Sequence, residues 1–146
     1  MSLLLQLLAY HKKYNVIEPI IPQSSTFYYY SQAIHYIEAY LLSDITPADV
    51  AAFLNISYSY LRKIFFTHGE CSVRDYILKQ KFKYIADKLA LTQCSIEEAA
   101  NMLGYNDYVH FSKMFKMIIG TPPSVYRDMH KDNPLTTTNQ LDKEQR

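Results

Sequence analysis

Ser95-Ile96-Glu97-Glu98-Ala99-Ala100-Asn101-Met102-Leu103-Gly104-Tyr105 holds the start, body and end of one short helix. A serine ahead of the helix and a carboxylate three residues on can satisfy each other's backbone amides, which marks a helix start. Gly104 supplies the exit, because glycine adopts a left-handed backbone without steric cost. Thr46-Pro47-Ala48-Asp49 makes the same kind of start, with a proline at the first helical position, where its missing N–H is not needed. Ser72-Val73-Arg74-Asp75 is a third.

Setting Ala51 against Ala100 reveals an internal duplication: Asn55 then falls on Gly104 and Ile56 on Tyr105. A short helix, a turn residue able to go left-handed, an apolar residue and a second helix make a helix-turn-helix. In the second helices, Leu61, Ile64, Phe65 and His68 recur at i, i+3, i+4 and i+7, as do Phe111, Met114, Phe115 and Ile118. That spacing lines one face of a helix and predicts that these residues point inward. Left outward are Ser59, Arg62 and Lys63 in the first copy, and Tyr108, Val109, Ser112 and Lys113 in the second. Small, polar and cationic side chains near a helix start are what a DNA major groove admits.

Working outward, Ser31 is read as the cap of a first helix with Ile34, Ile37 and Leu41 on one face. Further helices are predicted over about 46–54, 58–68, 73–91, 96–103, 108–119 and 123–130. The expectation is an all-α fold of seven helices, forming two helix-turn-helix subdomains joined by a long linker helix. Composition agrees: 49% of the 146 residues are hydrophobic and 14% aromatic, enough for a core, while three glycines and six prolines leave few breaks. Residues 1–30 read as a leading amphipathic helix and a linker around Pro19 and Pro22, 31–131 as the folded domain, and 132–146 as a disordered polar tail. The Leu-rich start, Leu3 to Leu8, suggests a remnant of an upstream domain or a self-association face. It is too short to span a bilayer and lacks the flanks of a signal peptide, so a cytoplasmic location is expected.

A formal charge of +1 is not that of a bulk nucleic-acid binder, but the charges are sorted. From Ile56 to Lys88 the local balance is +4, whereas Ser31 to Asn55 carries only acids. One basic face is the implication. Cys71 and Cys94 form no metal-ligand spacing and read as free thiols. No paired carboxylates, phosphate loop or activated nucleophile appears, so neither an enzyme nor a cofactor is expected.

Gly104-Tyr105-Asn106-Asp107-Tyr108-Val109-His110-Phe111-Ser112-Lys113-Met114-Phe115-Lys116, followed by Gly120-Thr121-Pro122-Pro123 and Tyr126-Arg127, closely resembles the signature of the AraC/XylS family of transcription regulators. The resemblance extends over about residues 31–130. It implies a monomer binding an asymmetric double-stranded DNA site with both recognition helices in adjacent major grooves. It also implies activation or repression beside RNA polymerase, and a small-molecule or phosphorylation signal arriving through an upstream domain. By position it places base contacts at Ser59, Arg62, Lys63, Tyr108, Val109 and Lys113. The sequence departs from the family at Gly69, one residue ahead of the usual glycine, and at Lys81 and Ile85, where arginine and alanine are common. The first of these implies a distorted exit from the first recognition helix.

Backbone contacts are assigned to Ser57, Tyr58, Lys79, Lys83, Asn106, His110 and Lys116. Several have a plainer reading beside this one. Ser57 and Asn106 serve as helix caps whose ends also favour phosphate; His110 is equally a packed polar neighbour, and the lysines are equally a solvated face. Met102, Met114 and Met117 are assigned to the core. The competing reading of the whole chain is a helical module that binds a protein partner instead of DNA.

Overall fold

A computed structural model describes residues 26–131. Among them are seven α-helices and no strand: α1 (Thr26–Ala39), α2 (Pro47–Phe53), α3 (Tyr58–His68), α4 (Val73–Leu91), α5 (Ile96–Met102), α6 (Tyr108–Ile119) and α7 (Pro123–Met129). The all-α class and the helix count match the expectation. The leading helix, the linker at Pro19 and Pro22 and the 132–146 tail lie outside the described residues. Two compact units divide the chain between Ile77 and Leu78, inside α4.

In the first unit α1 packs on α2 and α3, and α2 on α3. Ile37, Val50, Leu61 and Phe65 are sealed together, with Val73 and Ile77 closing the core from the start of α4. Each such side chain contributes roughly 1.5–3 kcal/mol on burial. The second unit is built alike: α6 packs on α5 and α7, around Phe82, Ile85 and Leu89 of α4 and Phe111 and Phe115 of α6. The Phe82 and Phe111 rings stack 5.8 Å apart, and Phe115 meets Tyr126 edge-on at 5.7 Å. Ala51 of α2 and Ala100 of α5 are buried within the cores of their units, where α2 packs on α3 and α5 on α6. A larger side chain in so dense an interior would have to push the helices apart.

The duplication holds down to individual hydrogen bonds. Asn55 and Gly104 are both left-handed, with φ of 58° and 76°. The Ile56 N–H donates to the Ala51 carbonyl at 3.1 Å and the Tyr105 N–H to that of Ala100 at 3.0 Å, while Asn55 and Gly104 donate to Ala52 and Asn101. This pair of bonds around a left-handed residue is the Schellman ending, which satisfies the last carbonyls of the first helix and reverses the chain.

Two of the three expected starts are complete capping boxes. Thr46 Oγ1 accepts the Asp49 N–H and the Asp49 carboxylate accepts that of Thr46; Ser95 and Glu98 do the same. At the third, Ser72 Oγ accepts the Asp75 N–H, but the carboxylate takes the Ser72 hydroxyl. The side-chain and backbone bonds from Thr46 hold the Asp49 carboxyl below its ordinary pKa, and those from Ser95 do so for Glu98. A carboxyl whose pKa is depressed on folding stabilises the fold above its unfolded value, near pH 4, and stops doing so as pH falls through the lower folded value. The melting temperature should therefore hold from pH 7 to about 5 and drop below about 4. Asp49→Asn combined with Glu98→Gln should flatten that drop in circular-dichroism melts. Parallel curves for the two proteins would show that the boxes play no part.

Several expectations are corrected. Ser31 does not cap the first helix but lies inside it, within Thr26–Ala39, and Leu41 packs on the core from beyond its end. The reason is tertiary: Tyr29 meets Tyr60 of α3, and Tyr30 meets Phe65 and His68. His68 is exposed rather than inward, and its Nε2 hydrogen-bonds Thr26 Oγ1 at 2.7 Å, tying the end of α3 to the start of α1. Met114 packs on the second core, but Met102 and Met117 are exposed. The two recognition helices also end differently. Gly120 closes α6 in the left-handed region, whereas Gly69 closes α3 in extended backbone with its N–H on the Phe65 carbonyl at 2.8 Å.

Candidate nucleic-acid interface

The outward face of each unit is set by where its second helix begins. Ser57 caps α3, its Oγ accepting the Tyr60 N–H at 3.1 Å. In α6 the cap is not Asn106 but Asp107, whose Oδ1 accepts the Val109 N–H at 2.8 Å. The second turn is one residue longer than the first, so the helix opens one residue later and Asn106 is left exposed. Counted from the caps, Tyr58 pairs with Tyr108, Ser59 with Val109, Arg62 with Ser112 and Lys63 with Lys113. The inward residues pair too, Leu61 with Phe111 and Phe65 with Phe115, all buried.

Tyr58, Ser59, Arg62 and Lys63 are all exposed on α3, as are Tyr108, Val109 and Lys113 on α6, with Ser112 half-buried among them. Among the described residues, Arg62, Lys63 and Lys113 enter no ion pair; the salt bridge present joins Lys131 and Asp128. Their charge is thus not spent inside the fold. In the first unit an open cleft of about 580 Å³ is lined by Tyr58, Ser59, Arg62, Lys63 and Phe66, with Glu70 at one side. It is a concave, cationic surface that suits an extended polyanion, not a small enclosed ligand.

The residues assigned to backbone contact divide. Lys116 is exposed on α6, and Lys79 and Lys83 are exposed one turn apart on α4, within the second unit. Lys88 is held over the Tyr84 ring at 5.6 Å, and Lys81 is half-buried. His110 is exposed, with its ring edge-on to Tyr105 at 5.2 Å. Tyr60 packs on Tyr29. One residue on the outward face of α3 has no part in the sequence reading: Phe66, seven positions after Ser59, four after Arg62 and 90% exposed. The period that groups Ser59, Arg62 and Lys63 on one face reaches it as well.

Among the described residues no three His, Cys, Asp or Glu side chains gather as a metal would need. Cys71 and Cys94 are free thiols, and burial pushes the Cys94 thiol up, away from the thiolate a metal prefers. No described helix is long and apolar enough to cross a membrane.

Comparison with known proteins adds an independent line. The family described as "Helix-turn-helix domain" matches residues 50–129. The "Msm operon regulatory protein" of Streptococcus mutans is 36% identical over 110 residues, covering 75% of this chain and 40% of that protein. The "Raffinose operon transcriptional regulatory protein RafR" of Pediococcus pentosaceus is 34% identical over 98 residues, or 67% and 35%. Among solved structures, the xylose-binding transcription activator xylR is 31% identical with a TM-score of 0.66, over 73% of this chain and 28% of that one. An AraC-type DNA-binding domain protein from Chromobacterium violaceum shares the fold, with a TM-score of 0.69 at 19% identity, over 75% of this chain and 96% of that one. The chain thus spans 35% and 40% of the two curated relatives.

Proposed function

This chain belongs to the AraC-type helix-turn-helix family of transcription regulators, and from that premise we propose that it is a transcription regulator that reads duplex DNA sequence through α3 and α6. The observation that carries the reading is the repeated turn. Two Schellman endings lead into two helices that offer an unpaired, exposed lysine at the same position from the cap, Lys63 and Lys113.

Base contacts fall to Ser59, Arg62 and Lys63 on α3 and to Tyr108, Val109, Ser112 and Lys113 on α6. Arg62 and Lys63 suit the O6 and N7 acceptors of guanine, and Val109 suits an apolar base edge. Ser57, Tyr58, Lys79, Lys83, Asn106, His110 and Lys116 supply register through phosphate, which fixes position without reading sequence. The two helix starts differ in this respect. The start of α3 carries a neutral hydroxyl and welcomes phosphate, whereas Asp107 already places a carboxylate on the start of α6. The charged part of phosphate contact in the second unit therefore falls to Lys79, Lys83 and Lys116, beside the polar Asn106 and His110.

Two like-built reading helices in one chain support adjacent major grooves, roughly 34 Å apart on one face of DNA, as the docking mode. Relatives whose names tie them to raffinose and xylose are longer than this chain, so we assign signal reception, and any contact with RNA polymerase, to the assembly in which these units work. A cytoplasmic setting follows from a DNA partner.

Fluorescence anisotropy with a 30-base-pair duplex tests the reading. Four or five neutralised phosphates predict an affinity loss of roughly two orders of magnitude between 50 and 200 mM salt. Absence of duplex binding at the lower salt would favour the protein-partner reading.

A further inference from the structure

Phe66 is the most exposed large apolar residue among the described ones, at 90%, and nothing in the fold accounts for it. Its neighbours in sequence show how unusual this is: Ile64 and Phe65 are both buried. A helix that turns Leu61, Ile64 and Phe65 inward must turn Ser59, Arg62, Lys63 and Phe66 outward, since the two sets follow the same i, i+3, i+4, i+7 spacing on opposite sides. Phe66 therefore ends the stripe that begins with the base-reading residues, and it lines the same cleft as Arg62 and Lys63.

A phenyl ring on the same cleft as two cations has a narrow choice of partners on a DNA duplex. The phosphate walls favour the cations and offer the ring nothing. Within the major groove, the prominent apolar feature on a base edge is the 5-methyl group of thymine, which phenylalanine contacts in direct readout. We propose that Phe66 reads a thymine methyl group at the end of the α3 half-site, a specificity contact that rests on the DNA-reading function above. The position has no counterpart in the second unit. Counted from the caps, Phe66 matches Lys116, so the methyl preference belongs to one half-site only and helps make the whole site asymmetric.

The full chain is first used to enrich bound sequences from random duplex DNA, and the α3 block is identified as the positions whose preference disappears in Arg62→Ala. Each thymine in that block is then replaced by deoxyuridine, which pairs identically but lacks the methyl group. The unaltered protein should lose about four-fold in affinity at one thymine, the worth of one buried methyl group. Phe66→Ala should bind the thymine and uracil forms equally, and Phe66→Leu should keep part of the difference. Circular dichroism should show both variants folded, since the ring packs on nothing. Uracil sensitivity that is absent from the block, or that persists in Phe66→Ala, overturns this proposal while leaving the Arg62-dependent block, and with it the DNA-reading function, intact. Failure to enrich any sequence overturns both.

Discussion

Phe111→Ala should destabilise the second unit by about 3–5 kcal/mol, the cost of emptying a fully buried aromatic site that cannot collapse. The ring is completely buried, stacks on Phe82 and touches Phe115 and Tyr105, so its removal takes one wall from each of those three rings. Against a total stability of roughly 5–15 kcal/mol for a whole domain, this is enough to melt the unit at moderate temperature. The two cores share no residue, so the loss should be uneven. Hydrogen exchange should show α5, α6 and α7 losing protection while amides of Leu61 and Ile64 keep theirs. Uniform loss across residues 26–131 would mean that the units fold as one. The same variant should retain non-specific, salt-dependent DNA binding through the first unit and lose tight binding to an enriched site.

Arg62→Ala and Lys113→Ala should each weaken binding to an enriched site by about 1–3 kcal/mol, or roughly five- to more than a hundred-fold. Both side chains are exposed and outside any ion pair, so removing them should leave the fold untouched. The double variant should approach the sum of the single losses, because the two residues belong to separate units. Lys116→Ala, by contrast, should weaken all sequences alike and lower the salt slope by about one. Competition binding measurements over a salt series distinguish these outcomes. Unchanged affinity in both Arg62→Ala and Lys113→Ala would remove the assigned reading heads.

What could be read from the sequence was whatever local chemistry decides. The capping boxes at Thr46 and Ser95 need only residues three apart, and the turns at Asn55 and Gly104 need only a residue that tolerates a left-handed backbone. Those features set the boundaries of α2 and α5 to within a residue. That Tyr29 and Tyr30, ahead of Ser31, are already helical was not legible, because these rings pack on Tyr60 and Phe65, some thirty residues away in sequence. Asn106 and Asp107 are adjacent and both able to cap, and only the extra residue of the second turn decides between them.

The candidate interface followed the same division. Periodicity sorts a helix into faces, so Ser59, Arg62, Lys63 and Lys113 were read as outward, and they are exposed. It also assumes that apolar residues lie on the inner face, and that assumption hid Phe66 and placed Met117 in the core, although both are exposed. An apolar side chain that breaks the pattern is recognisable only once its surroundings are known, and such a residue is where a specific contact is worth seeking.

Selection of bound sequences from random duplex DNA, carried out in parallel with the unaltered chain, Arg62→Ala and Lys113→Ala, bears most directly on two reading heads in one chain. The prediction is a two-part motif in which Arg62→Ala erases one block, Lys113→Ala erases the other, and each leaves its neighbour's information content intact. A motif with a single block, or one that survives both substitutions unchanged, would contradict it.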